Sequence, residues 1–294
     1  MHISRETRAF LLLTLVTMVW AGLMPTGKIA LRGVPPLTIA AIRLVIGSLL
    51  LSILLYRESR PVPWSPKLVG TLLVLGFVGY CGSMGCTYYG LRLTTVTNAA
   101  LLNAAAPVSL ALLSMVLLKE RPPSRSLLGI VLSVIGVAVI ITRGSWEVVQ
   151  QTQYNLGDLI LLGTQLSWGL YTIYGRRLMD TVSPLAATTY TYMAGALWLI
   201  VGCYFLERDQ WNFAEVSWAS WLAIAYQSTL GTFAHFWFYD AIAVLGPSRA
   251  SIFLNLVPVM AIGIAYVFLS EPITPSHLLG GAIVMSGILA ATKK

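Results

Sequence analysis

Residues 88–107 read YYGLRLTTVTNAALLNAAAP, and residues 239–258 read YDAIAVLGPSRASIFLNLVP. Laid over each other at an offset of 151, Tyr88 meets Tyr239, Ala99 meets Ala250 and Pro107 meets Pro258. The same offset carries Glu120 onto Glu271, Gly129 onto Gly280 and Gly136 onto Gly287. Upstream the match continues at 148: Trp20 falls on Trp168, Gly27 on Gly175, Lys28 on Arg176, Pro36 on Pro184 and Gly47 on Gly195. The change of three is a small insertion between two matched halves. Each half holds five apolar stretches long enough to span a bilayer. An odd number of spans sets the second copy upside down relative to the first.

Composition agrees with a chain solvated by lipid. A soluble domain averages roughly a quarter charged residues. Here 10% are charged and 57% hydrophobic, with a mean hydropathy of +0.78. That supply cannot cover a water-facing surface. Ten helices of ~20 residues each consume about two thirds of the chain, so only short connections remain. The net charge of +8 and pI near 9.5 do not point to nucleic acid, because Lys and Arg sit in short loops and form no basic patch interleaved with aromatics. Cys81, Cys86 and Cys203 lie inside apolar spans and are odd in number, so they read as packing residues rather than a disulfide or a metal site.

The spans are predicted at 8–28, 36–56, 67–90, 95–118, 125–142, 156–177, 184–206, 217–240, 247–269 and 275–292. The fold class is therefore an all-α polytopic membrane protein, ten transmembrane helices arranged as two inverted five-helix repeats. The repeats cover residues 1–146 and 156–294, joined by a polar linker at 147–155. The first apolar stretch resembles a signal-peptide core but is longer than most, and it reads as a retained helix. With the N-terminus cytoplasmic, the inner side receives 13 Lys and Arg and the outer side 5, with Arg43 inside a span. That bias predicts both termini in the cytoplasm of a bacterial inner membrane.

Tyr89-Gly90-Leu91-Arg92, Asn98 to Leu102, Ala106-Pro107, Lys119-Glu120-Arg121, Gly129 and Gly136 resemble the EamA-type branch of the drug/metabolite transporter superfamily. The second half repeats the pattern as Tyr239-Asp240-Ala241, Ala250-Ser251, Val257-Pro258, Ser270-Glu271-Pro272, Gly280 and Gly287. Val19-Trp20-Ala21-Gly22 and Pro35-Pro36-Leu37 through Arg43 are similar to the family's opening spans. The resemblance covers nearly the whole chain. It implies ten helices, a central cavity lined by helices 1, 3, 4, 6, 8 and 9, peripheral helices 5 and 10, and alternating access.

Polar groups inside lipid are costly, which makes each one a functional candidate. Arg43 lies about seven residues into the second span, from where it either snorkels outward or faces the cavity and attracts an anion. His235 sits deep in the eighth span, either as a neutral hydrogen-bonded ring or as a proton-coupling group. Asp240 stands at the cytoplasmic end of that span as an anchor or gate contact; Glu120 and Glu271 read as caps. A substrate pocket is predicted from Trp20, Tyr80, Thr87, Tyr88, Asn103, Gln165, Trp168, Tyr171, Tyr226, Gln227, His235, Phe238 and Asn255, with Arg43, His235 and Asp240 coupling or gating. Asn103 and Asn255 stand near Pro107 and Pro258, whose missing N–H groups free backbone carbonyls. The glycines at 76, 79, 82 and 85 form a drifting stripe, read as helix packing or as a sliding surface.

These features favour a secondary transporter of small organic solutes such as amino acids, exporting by alternating access with the substrate between the repeats. Proton-coupled uptake and carriage of a lipid-linked headgroup are alternatives on the same fold. The sequence holds no phosphate-binding Gly-x-x-x-x-Gly-Lys-Ser/Thr loop to drive transport with ATP. It also lacks the paired carboxylates, Ser–His pair or His-Glu-x-x-His of an intramembrane enzyme. A channel would build its selectivity ring by oligomeric repetition. The expected partners are a small-molecule substrate, the bilayer and a proton or solute counter-ion, with no cofactor and a monomeric chain.

Overall fold

The computed structural model describes residues 4–58, 61–94, 99, 102, 106–119, 123–142, 144–150, 155–257, 259–260 and 274–292. Within them regular structure is helical, with no strand. The elements are α1 (Arg5–Ala21), α2 (Leu23–Ala30), α3 (Pro36–Tyr56), α4 (Pro66–Gly76) and, after a π-helical turn at Phe77–Gly82, α5 (Ser83–Leu93). There follow α6 (Ala106–Leu117), α7 (Ser124–Thr142), α8 (Trp146–Gln150), α9 (Leu156–Leu178), α10 (Pro184–Glu207), α11 (Trp218–Leu245), α12 (Pro247–Ser251) and α13 (Pro275–Thr292).

Helix starts follow the punctuation in the sequence. Pro36, Pro66, Pro184 and Pro247 occupy the first turn, where a missing N–H costs nothing. Ser65, Ser183 and Ser217 accept from the N–H groups of Leu68, Ala186 and Ser220. Asn155 and Asp158 form a reciprocal capping box at the head of α9. Four spans among the described residues are long and apolar enough to cross a membrane: Arg5–Ala30, Pro36–Tyr56, Pro66–Leu93 and Pro184–Gln210. Ser124–Ile140 and Leu278–Ala290 are shorter apolar helices. Helices α9 and α11 run 23 and 28 residues, or about 35 and 42 Å at the helical rise.

Contacts at the helix ends sort into two faces. At one face Arg8 pairs with Asp240 at 3.6 Å, Arg249 with Glu6 at 3.8 Å, and Ser183 donates to Glu58 Oε2 at 2.8 Å. Arg177 joins the same face by donating to the Leu117 carbonyl at 3.2 Å. At the other face Lys28 Nζ donates to the Thr94 carbonyl at 2.8 Å, Thr94 to Asp158 at 2.6 Å, and Ser220 to the Ile29 carbonyl at 3.0 Å. The end of α10 meets the start of α3, so these two helices run antiparallel. Helices α7 and α13 are antiparallel as well, with Gly136 against the Gly280 carbonyl and Gly287 against the Gly129 carbonyl. They pack chiefly on each other.

The outer surface carries the lipid-compatible groups. Leu49, Val74, Val116 and Phe205 are exposed along the spans, while Tyr56, Trp64, Trp146 and Trp218 are exposed near helix ends. Amphipathic rings at that level suit a membrane interface.

Several boundaries differ from the sequence reading. The first span breaks at Gly22, whose N–H bonds back to Val19 and Trp20. A side chain there would strike the Tyr226 ring, so the break coincides with a helix–helix crossing. The third span reaches Leu93 and the eighth Leu245, and a short helix, α8, occupies residues 147–150 of the stretch read as linker. Residues 261–273, with the second part of the predicted ninth span and Glu271, lie outside the described residues, as do Asn103, Glu120 and Pro258.

Candidate functional site

Aromatic side chains from both halves of the chain meet at mid-span. Trp20 of α1 and Trp168 of α9, counterparts at the 148 offset, stand edge-to-face with centroids 5.9 Å apart. Phe238 of α11 closes the group at 5.1 Å from Trp20 and 5.2 Å from Trp168. The His235 ring lies 5.0 Å from Trp20 on the same face of α11. Its Nδ1 is 2.7 Å from the Gly231 carbonyl. A carbonyl can only accept, so Nδ1 carries a proton in this contact.

A second layer is phenolic. Tyr80 sits 4.7 Å from Tyr171 and 4.5 Å from Tyr192, and Tyr171 sits 5.0 Å from Tyr239. Tyr80 donates to Tyr171 at 2.8 Å, and Tyr171 shares a 2.8 Å bond with Thr191. Close approach is possible because Gly79 faces Tyr171 and Gly195 faces Tyr80. The π-helical turn at Phe77–Gly82 holds Tyr80 itself; its wider turn alters the register of this helix relative to Tyr88 below.

Arg43 is the single most informative side chain. It is 5% exposed, so the snorkelling alternative fails: α3 buries this face against α11, and the guanidinium points inward. Its Nη1 donates at 3.4 Å to Tyr88 and 3.5 Å to Gln227 Oε1, both at the long end of hydrogen bonding. Tyr88 also donates a short bond to Gln227. Arg43 Nε and Nη2 have no hydrogen-bond partner. Gly231 makes room for the group, since a Cβ there would lie 3.1 Å from Nη2.

The remaining predicted residues divide. Gln165 is buried in α9 near the cluster's helices. Thr87 bonds within its own helix to the Ser83 carbonyl at 2.9 Å and reaches Thr164 at 3.4 Å, which is packing between α5 and α9. Tyr226 donates to the Val19 carbonyl at 2.6 Å, bracing the break at Gly22. Asn255 is 1% exposed in a 3₁₀ turn with both amide atoms unpartnered. Asp240, next in sequence to Tyr239, pairs with Arg8 at 3.6 Å. Among the described residues these rings pack on one another, and two cavities lie apart from them, one beside Val74 and Leu170, the other beside Val62 and Ser183.

Two participants escaped the sequence reading. Tyr192 falls opposite Leu44 in the repeat, so no symmetry marks it. Glu207 is fully buried and accepts from the Leu37 and Thr38 N–H groups at 2.9 and 2.8 Å, from Thr38 Oγ1 at 2.8 Å and from Tyr89 at 3.1 Å. A run of charges at 207–209 disguises it as loop. Among the described residues no group of three metal-ligating side chains occurs, and Cys81, Cys86 and Cys203 are free thiols.

The model of the EamA-like transporter family matches residues 7–142 and again residues 155–292. The chain is 31% identical over 246 residues to the uncharacterized transporter YyaM of Bacillus subtilis (strain 168), covering 83% of this chain and 80% of that protein. It is 27% identical over 302 residues to a probable terminal-alkyne amino-acid exporter of Streptantibioticus cattleyicolor, covering 100% and 95%. A protein solved by crystallography, 18% identical, superposes with a TM-score of 0.79 over 97% of this chain and 96% of that one, which shows a common fold. These named relatives and the family are transporters and not enzymes. On that double match, the protein belongs to the EamA-like transporter family.

Proposed function

We propose that this transporter is a secondary carrier of small amphipathic organic solutes, exporting amino acids or related metabolites by alternating access. Two inverted five-helix halves, residues 1–146 and 156–294, would rock about the central rings. The observation that carries this reading is the meeting of Trp20 and Tyr80 from one half with Trp168, Tyr171, His235 and Phe238 from the other. A site split between two halves changes shape when they move. The antiparallel pairing of α3 with α10 and of α7 with α13 supports inversion, because each pair consists of repeat counterparts. Stacked rings with a few convergent polar groups suit a solute with an apolar body and a polar head. The amino-acid exporter among the relatives supports that class.

Counterflow into proteoliposomes tests the proposal. Purified protein, preloaded with unlabelled amino acids, should accumulate labelled amino acid transiently and saturably. Trp168→Ala should raise the half-saturation concentration about three- to tenfold, the value of one lost aromatic pairing. Linear, unsaturable flux would replace the carrier reading with a channel.

A further inference from the structure

We infer that Arg43 is the head-group site for a carboxylate, so that the carrier selects solutes bearing one carboxylate on an aromatic or apolar body. This rests on the reading of the central cluster as the substrate site. In a guanidinium, Nε–H and one terminal N–H point the same way and form a planar two-pronged edge. The two unpartnered nitrogens of Arg43, Nε and Nη2, are the pair that makes such an edge. The remaining terminal nitrogen, Nη1, is turned to Tyr88 and Gln227. That division leaves free the edge that matches both oxygens of a carboxylate.

The surroundings fix the charge type. No carboxylate of the described residues forms an ion pair with Arg43; those of Asp158, Glu207 and Asp240 are engaged near the helix ends. Tyr88, Tyr192, His235 and Gln227 supply dipoles but no negative charge. A buried cation with two unmade hydrogen bonds costs several kcal/mol, and one negative charge offsets it. A phosphate dianion would bring an excess charge into the same apolar setting. Trp20 Nε1 and Gln227 Nε2, also buried and unpartnered, add neutral donors rather than acceptors. Donors without an anionic acceptor disfavour a cationic solute. The rings of Trp20, Trp168 and Phe238 supply flat apolar walls for the rest of the molecule.

Matched acid and amide probes test this on the full-length protein in detergent. Binding of phenylacetate and phenylacetamide, and of indole-3-acetate and indole-3-acetamide, is measured by titration calorimetry. The acids should bind at least about 30-fold more tightly than their amides, the usual consequence of pairing a buried charge. In Arg43→Gln the difference between acid and amide should fall below about threefold. Arg43→Lys should restore part of the preference, because an ammonium offers no planar fork. Equal binding of acid and amide by the parent protein overturns the inference, and so does a preference that survives Arg43→Gln. Should Arg43→Gln fail to elute as a folded species, the parent comparison and Arg43→Lys decide. Absence of binding by all four probes also overturns it, yet saturable counterflow of another solute would leave the carrier reading standing.

Discussion

At Glu207 four donors converge on one carboxylate: two backbone N–H groups at the head of α3, the Thr38 hydroxyl and the Tyr89 phenol. The head of a helix carries unsatisfied N–H groups and partial positive charge, so an acidic partner is favoured there. What is unusual is its source, 169 residues along the chain on α10. Trp211 adds a 2.9 Å bond to Thr38, extending the clasp to the connection that follows α10. Glu207→Ala leaves buried donors without a partner at about 1–3 kcal/mol each. The melting temperature of purified protein should fall by several degrees, and Glu207→Gln, which keeps one acceptor oxygen, should fall less. Equal melting of parent and Glu207→Ala would remove the clasp from the account of stability. Sequence marks the polar residues that stand alone in apolar runs, which is why Arg43, Gln227 and His235 were legible. It does not mark Glu207, because Arg208 and Asp209 follow it and the segment reads as wet.

Helices add what residues lack, namely a reason for close approach in lipid, where no hydrophobic drive joins them. In α7 and α13 that reason is glycine. Gly136 and Gly280 face each other backbone to backbone, so a Cβ at either would come within 2.7 Å of the other's carbonyl. Gly287 faces the Gly129 carbonyl and Ser133 in the same way. The stripe on α4 and α5 resolves differently. Gly76 receives Ala194 and Gly195, Gly79 receives Tyr171, Gly82 receives Ser167, and Gly85 receives Leu37. Each glycine serves a different neighbour, so the stripe is packing on several sides, not one smooth track. Gly287→Val should destabilise the protein by about 1–3 kcal/mol through overpacking, seen as a lower melting temperature, whereas Gly70→Val, where a Cβ meets nothing, should melt like the parent. Periodicity and proline positions located most of these elements. The break at Gly22, which coincides with the Tyr226 crossing, and the π-helical turn at Phe77 were invisible to it.

For the whole molecule the repeat in sequence becomes a geometric claim about which loops share a side of the membrane. Helix ends bring residues near 57, 117, 177, 183 and 240 to one face, and residues near 28, 37, 94, 158, 207 and 220 to the other. Among the described residues the first face collects more of the Lys and Arg than the other, the bias expected of a cytoplasmic surface. Which ring turns inward was less legible than where the helices lie, because a ring inside a span packs on protein or faces lipid with the same local pattern. Trp20 and Tyr171 turned inward, while Trp198 and Tyr204 are exposed. Side-specific labelling decides the topological claim. With Cys81, Cys86 and Cys203 replaced by Ala, single cysteines at Arg57, Arg176 and Arg208 are challenged with a membrane-impermeant maleimide. In intact cells the Arg208→Cys protein should label and the other two should not; in inside-out vesicles the pattern should reverse. Labelling of positions 57 and 176 from opposite sides would break the antiparallel relation of the halves, and a site that opens alternately to each side would lose its structural basis.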